Sequence, residues 1–468
     1  MPDQVFPSPA PVNNQEVQVM QPPSPNTGVI TSHSEKKVPK SLILIILAVA
    51  TLGLAIFLVV RALSRKAVEG GEVTWWGLWE DEAVINPLID EYQKEHPKVK
   101  LTYIRQSPQD YRERLTNALA KGGGPDIFIF HNSWVPMFKN DLDQIPAEVM
   151  NASDFAQIFY PVATIDLTND VGMVGIPLEY DALTLFINED IFNKAQKSPP
   201  TTWDDLRSLA TDLTQKDDQG NIIQSGVALG RTENVDHWPE ILALMMLQNG
   251  VNLVSPTGKL AEDALKFYTI FSSADGVWDA TLPPSTAAFA GGKLAMYFAP
   301  SWRAFEIIEK NPSLKFKTVP LPQLPKSGSN QKEVSYATYW VSGVWARSKH
   351  KAIAWDFLKF ISSRDALAKL YANASRQRLF GEPYSRVDMA DLVKDHPLVG
   401  SIISQAPDAQ SWFLQSRTFD GPTGINSLIN KYFEDAVNAV NSGSSADKAL
   451  QTAALGVKQV LQQYGMIK

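Results

Sequence analysis

The chain has no cysteine among its 468 residues. That excludes disulfides, thiolate metal sites, a cysteine nucleophile and a lipid anchor carried on a thiol. Histidine is scarce: six residues, at 33, 96, 131, 237, 350 and 396, with no two at a spacing that would grip a metal ion. A basic surplus is missing as well, since the formal net charge is -7. Nucleic acid is therefore not expected as the main partner, because phosphate binding needs a positive face. The glycine cluster at 122–124 lacks the Lys-Ser/Thr of a phosphate loop and reads as a turn before a strand. No cofactor and no metal are expected.

Long apolar runs are also lacking, with one exception. Residues 41–60, SLILIILAVATLGLAIFLVV, contain no charge. At about 1.5 Å per residue, some twenty residues span a hydrocarbon layer of about 30 Å. The run begins far from the N-terminus and exceeds the apolar core of a cleaved signal, so an uncleaved transmembrane anchor over 41–61 is the expectation. Lys36, Lys37 and Lys40 precede it, and Arg61, Arg65 and Lys66 follow; the flanking charges balance and give no orientation. Residues 1–40 hold eight prolines and little apolar periodicity, as expected of a disordered polar tail. Residues 62–71 read as a linker.

What remains, 72–468, is too long for one core. Hydrophobic residues make up 44% of the chain and charged residues 20%, ordinary globular values. VTWW at 73–76 reads as a strand. Ile85, Leu88, Ile89 and Tyr92 then mark one helical face, and Val99, Leu101 and Tyr103 alternate as a second strand. Tyr111, Leu115 and Leu119 predict another helix before the strand DIFIF at 126–130. Strands alternating with helices imply a parallel α/β sheet, whose ligands bind beyond the carboxyl ends of the strands. Trp79, Glu80 and Asp81 stand at one such end; His131, Asn132 and Trp134 stand at another.

Further on, Glu179, Tyr180 and Asp181 interrupt apolar chain before a strand expected over 182–187. Unpaired polar groups are costly in a buried strand, so the trio is expected to face a cleft where the chain crosses between lobes. Thr202 is placed to cap a helix with Asp205 in its first turn. A short strand is expected over 226–229 and a buried helix over 238–247. FAGGKLAMYF at 289–298 ends beside Pro300, Ser301 and Trp302, a strand over 339–345 returns to the first lobe, and two amphipathic helices close the chain.

Four stretches taken in order resemble the extracellular solute-binding proteins of family 1, the carbohydrate-binding components of ABC importers. They are GGGPDIFIFHNSW (122–134), VGIPLEYDALTLFINEDIF (174–192), PPTTWDDLRSLATDL (199–213) and FAGGKLAMYFAPSW (289–302). The resemblance implies a two-lobe periplasmic-binding-protein fold of type II, each lobe α/β, with the ligand in the cleft between them. Lobe one would comprise about 72–178 and 335–383, and lobe two about 182–332 and 384–468. The implied ligand-binding residues are Trp79, Glu80, His131, Asn132, Trp134, Tyr180, Asp181, Trp238, Trp302, Tyr339 and Trp340. Aromatic planes suit the C–H face of a sugar, and carboxylates or amides suit its hydroxyl rim.

The implied partners are a mono- or oligosaccharide and ABC permease subunits, with the domain on the extracytoplasmic side of the plasma membrane. Many relatives carry a lipidated cysteine; here the apolar run takes its place. Two other classes compete: an anchored sugar sensor, and a surface carbohydrate-active enzyme using Glu80, Asp81 or Asp181 as an acid–base pair. The expectation is a binding protein, not an enzyme.

Overall fold

Two sheets, each built by local alternation and joined by crossing strands, set out the binding domain. The computed structural model describes residues 70–325 and 332–468. The polar tail, the apolar run at 41–61 and most of the linker lie outside the described residues. Among those described, no helix is long and apolar enough to cross a membrane.

In lobe one, β1 (Gly71–Gly77) leads to α1 (Glu82–Glu95), which Asp81 caps by accepting from the Ala83 N–H at 2.9 Å. β2 (Val99–Arg105), α2 (Tyr111–Ala120) and β3 (Ile127–His131) follow. β2 and β3 run parallel on either side of β1. The buried residues of α1 are Val84, Ile85, Leu88, Ile89 and Tyr92, the apolar face the sequence shows. Trp75 of β1 meets Tyr103 of β2 edge to face at 4.9 Å, and both are buried. A buried aromatic side chain contributes about 1.5–3 kcal/mol of transfer free energy.

Lobe two is built on β4 (Thr184–Asn188), α3 (Trp203–Leu213), β5 (Ile222–Val227), α4 (Trp238–Gln248), α5 (Lys259–Ser273), β6 (Leu294–Ala299), α6 (Arg303–Lys310) and β7 (Phe316–Val319). The sheet order is β7-β4-β6-β5, with Gln215–Lys216 on the outer edge. α3 opens with a capping box: Thr202 Oγ1 accepts from the Asp205 N–H at 3.1 Å, and the Asp205 carboxylate from the Thr202 N–H at 3.2 Å. β5 starts four residues before the expected 226–229, because Ile222 and Gln224 pair with Gln215–Lys216 in a hairpin. Gly226 is needed there. A Cβ on it would lie 2.1 Å from the Ala210 carbonyl oxygen of α3.

β8 (Trp340–Val344) returns to lobe one and pairs with β3 antiparallel, Trp340 opposite His131. The parallel sheet therefore has one antiparallel edge. α7 (Ile425–Asn441) and α8 (Ala446–Gln463) pack on one another and on α5 of lobe two.

Among the described residues, three segments cross between the lobes. The first, 176–183, runs antiparallel to the second, 336–342, with bridges at Ile176–Ser342 and Ala182–Ala337. The Leu183 N–H donates to Tyr336 O at 2.8 Å, and the Thr338 N–H to Asp181 O at 3.0 Å. The third crosses at 383–385: the Tyr180 N–H donates to Pro383 O at 2.9 Å, and Ser385 Oγ to Pro177 O at 2.8 Å. Beyond it, Arg386 still bridges Phe159 of lobe one; by Pro397 the chain has reached lobe two, accepting from Thr318 of β7 at 2.9 Å.

Candidate functional site

A cavity of about 420 Å3 opens between the lobes at the crossing strands. Lobe one supplies Trp79, His131 and Trp340. Lobe two supplies His237, Pro300 and the opening of α6, Trp302 to Glu309. The crossings contribute Glu179, Asp181, Thr338, Tyr339 and Glu382, with Arg378 beside them, and the loop at 416–419 forms the remaining wall. These positions follow from the strands. Trp79 lies just beyond β1, His131 ends β3, Trp340 starts β8 and Trp302 follows β6.

The walls are aromatic. Trp79 meets Trp340 edge to face at 5.3 Å and Phe419 at 5.9 Å. Across the cavity the Arg303 guanidinium lies 4.5 Å above the Trp302 ring. Polar groups are fixed behind these rings. His131 pairs through Nδ1 with Ser133 Oγ at 2.8 Å and through Nε2 with Thr338 Oγ1 at 3.1 Å. Burial pushes its imidazole down to about 3, so it is neutral at physiological pH. His237 is likewise lowered by burial, and its Nε2 accepts from Arg303 Nε at 2.9 Å.

Asp181 ties the first crossing to lobe two. Its carboxylate accepts from Ser301 N at 3.1 Å, Ser301 Oγ at 2.9 Å and its neighbour Ala182 N at 2.7 Å. Burial outweighs these hydrogen bonds and pushes the carboxyl up to about 7.

Of the eleven residues expected at the site, Trp79, His131, Asp181, Trp302, Tyr339 and Trp340 line the cavity, although the Tyr339 hydroxyl is turned to Asp166 at 2.8 Å. The other five do not. Glu80 sits behind the wall, paired with Arg378 at 2.6 Å. Asn132 points the other way, donating to Asp166 at 2.9 Å beside a separate cavity of about 610 Å3. Trp134 is fully buried in lobe one between Tyr111 and Phe138, because the 3-10 turn Asn132–Trp134 rotates it back into the core. Tyr180 is buried against Tyr160 at 4.9 Å. Trp238 opens α4 and faces another cavity, bounded by the outer side of the loop at 415–421.

Cavity residues not foreseen from the sequence are His237, Arg303, Arg378, Glu382, Arg417 and Phe419. Glu179, expected to face the cleft with its two neighbours, does line the cavity, since strand alternation puts it on a face with Asp181. Arg417 and Phe419 carry positive φ angles of 57° and 52°, a backbone form rare outside glycine and concentrated at ligand sites.

Residues 76–368 match the model of the bacterial extracellular solute-binding protein family. The chain is 22% identical over 316 residues to a maltotriose-binding protein of Pyrococcus abyssi, covering 65% of each. It is 22% identical over 299 residues to the diacetylchitobiose-binding protein DasA of Streptomyces coelicolor, covering 57% of this chain and 63% of that one. The matches thus span somewhat less than two thirds of these relatives' lengths. Among solved structures, a cyclic alpha-maltosyl-1,6-maltose binding protein from Arthrobacter globiformis superposes with a TM-score of 0.67 at 18% identity. It is covered over 100% of its length and this chain over 84%. A cyclo/maltodextrin-binding protein complexed with maltotetraose gives 0.66 at 16% identity, over 99% of that chain and 85% of this one. Its two-lobe fold and the extent of the family match together place this chain in the bacterial extracellular solute-binding protein family.

Proposed function

We propose that the protein is the substrate-binding component of an ABC importer, capturing a carbohydrate in the interlobe cavity and delivering it to a membrane permease. The observation that carries this is the cavity itself: Trp79 and Trp340 on one wall and Trp302 on the other, with Asp181 and Glu179 on the crossing strand between. Rings match the C–H faces of a sugar; carboxylates and guanidinium groups match its hydroxyls, more strongly where water is excluded. The relatives named above are sugar binders, which supports the same ligand class. The ligand-contacting set assigned here is Trp79, His131, Asp181, Trp302, Tyr339 and Trp340, extended by Glu179, Arg303, Arg378, Arg417 and Phe419.

No chemistry is performed on the ligand. The Asp181 carboxylate is engaged by Ser301, and Glu80 stands behind the wall on Arg378, an arrangement that serves hydrogen bonding better than proton transfer. Capture proceeds by hinge motion about the three crossings, and ligand favours closure only to the extent that it binds the closed state more tightly. The charge-free run at 41–60 is assigned as a single-pass anchor holding the domain on the extracytoplasmic face.

The test is a thermal-shift and calorimetry panel of maltotriose, diacetylchitobiose, mannobiose and polyol phosphates on the full-length protein. A ligand at a hundred times its dissociation constant stabilises the native state by about 2.7 kcal/mol. A saccharide is expected to do this, and Trp302→Ala to abolish it while leaving the fold intact. Binding that survives Trp302→Ala, or hydrolysis of a bound oligosaccharide, overturns the reading.

A further inference from the structure

The floor of the cleft holds more carboxylates than cations. Arg378 reaches Glu80 at 2.6 Å and Glu382 at 2.8 Å through the same Nη2, and gives its Nε to Phe380 O at 3.0 Å. Glu179 lines the same floor. Three carboxylates therefore draw on Arg378, with Arg105 adding its charge at Glu80. Among the described residues, Glu179 receives no hydrogen bond: the groups acting on it are Glu382, Glu80, Arg378 and Asp181, through charge alone. Burial, then Glu382 and Glu80, push its carboxyl well above the usual range, so a negative charge there lacks compensation from the protein.

The other cations of the cavity are already held. Arg303 pairs with Glu306 and stacks on Trp302, while Arg417 faces Asp236 at 3.6 Å. Aromatic faces stand close by: Trp79, Trp340 and Phe419 form a continuous cluster. An unpaired carboxylate beside π faces is the pair of features that recognises a cationic nitrogen. A hydroxyl can also bond to Glu179 while it stays protonated; an ammonium group compensates the ionised carboxylate, which the protein alone does not.

We propose that the cleft takes an amine-bearing sugar, with its ammonium group on Glu179 and its ring against the Trp79–Trp340 wall. This rests on the carbohydrate reading above and narrows it to one ligand class. Binding the ammonium ionises Glu179, so a proton leaves the protein. Glu80, Glu382 and Asp181 oppose that ionisation and Arg378 favours it.

The experiment is calorimetry on the full-length protein at neutral pH with three disaccharides of one linkage: β-1,4-linked glucosamine, its N-acetylated form diacetylchitobiose, and cellobiose. The amine is expected to bind about ten- to a hundred-fold more tightly than either neutral sugar, the range of a charge-assisted hydrogen bond. Repeating it in two buffers of different ionisation heat, at a pH where the free amine is fully protonated, should show net proton release with the amine and none with cellobiose. Glu179→Gln should erase the preference and the proton release. Neutral sugars binding as tightly as the amine, or a preference that persists in Glu179→Gln, overturns the proposal and leaves the carbohydrate reading standing. Failure of every saccharide, here and in the broader panel, overturns both. The wild-type comparison decides even if the variant does not fold.

Discussion

Glu80 should make the domain less stable as the pH rises, and Glu80→Gln should remove that loss. The Glu80 carboxyl is pushed from 4.5 up to about 7, first by burial and then by Glu382, against the pull of Arg378 and Arg105. Its side chain is only 12% exposed, so solvent screens the effect weakly. Each tenfold in proton affinity is worth about 1.4 kcal/mol, and this rise corresponds to about 3 kcal/mol. The folded carboxyl holds its proton more tightly than the unfolded one. Its stabilising contribution is therefore complete below the unfolded value of 4.5 and is lost as the pH climbs through about 7. Glutamine copies the protonated shape and has no proton to lose. Wild type and Glu80→Gln should match in unfolding free energy near pH 4.5, and by pH 8 the variant should be more stable by about 2–3 kcal/mol. Urea unfolding at both values measures this directly, and the groups that do not interact with Glu80 cancel in the difference. Parallel stability–pH curves, or a variant weaker at pH 8, would refute the reasoning.

Two substitutions separate core from site. Trp134→Ala should cost about 3–5 kcal/mol in urea unfolding, since the ring is fully buried, whereas ligand affinity of the folded fraction changes far less than in Trp302→Ala. Equal losses of affinity in the two variants would place Trp134 in the cleft after all. Gly226→Ala sets a Cβ 2.1 Å from a backbone oxygen of α3, which cannot rotate away. It should lower stability by about 1–3 kcal/mol, seen as a clear fall in melting temperature, and an unchanged melting temperature would show that β5 and α3 separate freely.

The elements were legible wherever the pattern was local. Ile85, Leu88, Ile89 and Tyr92 announce the buried face of α1, and Thr202 with Asp205 announces the capping box, because each signal lies within one or two helical turns. The cavity lining was legible at strand ends, where Trp79, His131 and Trp302 leave apolar runs beside polar neighbours. Errors arose where the backbone turned a residue aside. A 3-10 turn sends Trp134 inward, and strand alternation puts Tyr180 on the face opposite Glu179 and Asp181. The largest omission, Arg378 with Glu382, has a different cause.

Arg378 lies almost three hundred residues from Glu80, and no periodicity links them; the helix Arg364–Ser375, whose Asn373 donates to Val84 O of α1 at 3.2 Å, and the third crossing, held by Tyr180 on Pro383 and Ser385 on Pro177, bring them together. That crossing also fixes what the floor of the cleft can be. A lone carboxylate on the first crossing would take a sugar hydroxyl as readily as any other partner. Because the third crossing adds Glu382, and lobe one adds Glu80, a single guanidinium must serve both, and Glu179 is left facing the cavity without a cation of its own. The charge of the site is thus a property of the hinge, assembled from three distant segments. A change at any of these three carboxylates should therefore alter the ligand preference of the cleft more than its shape.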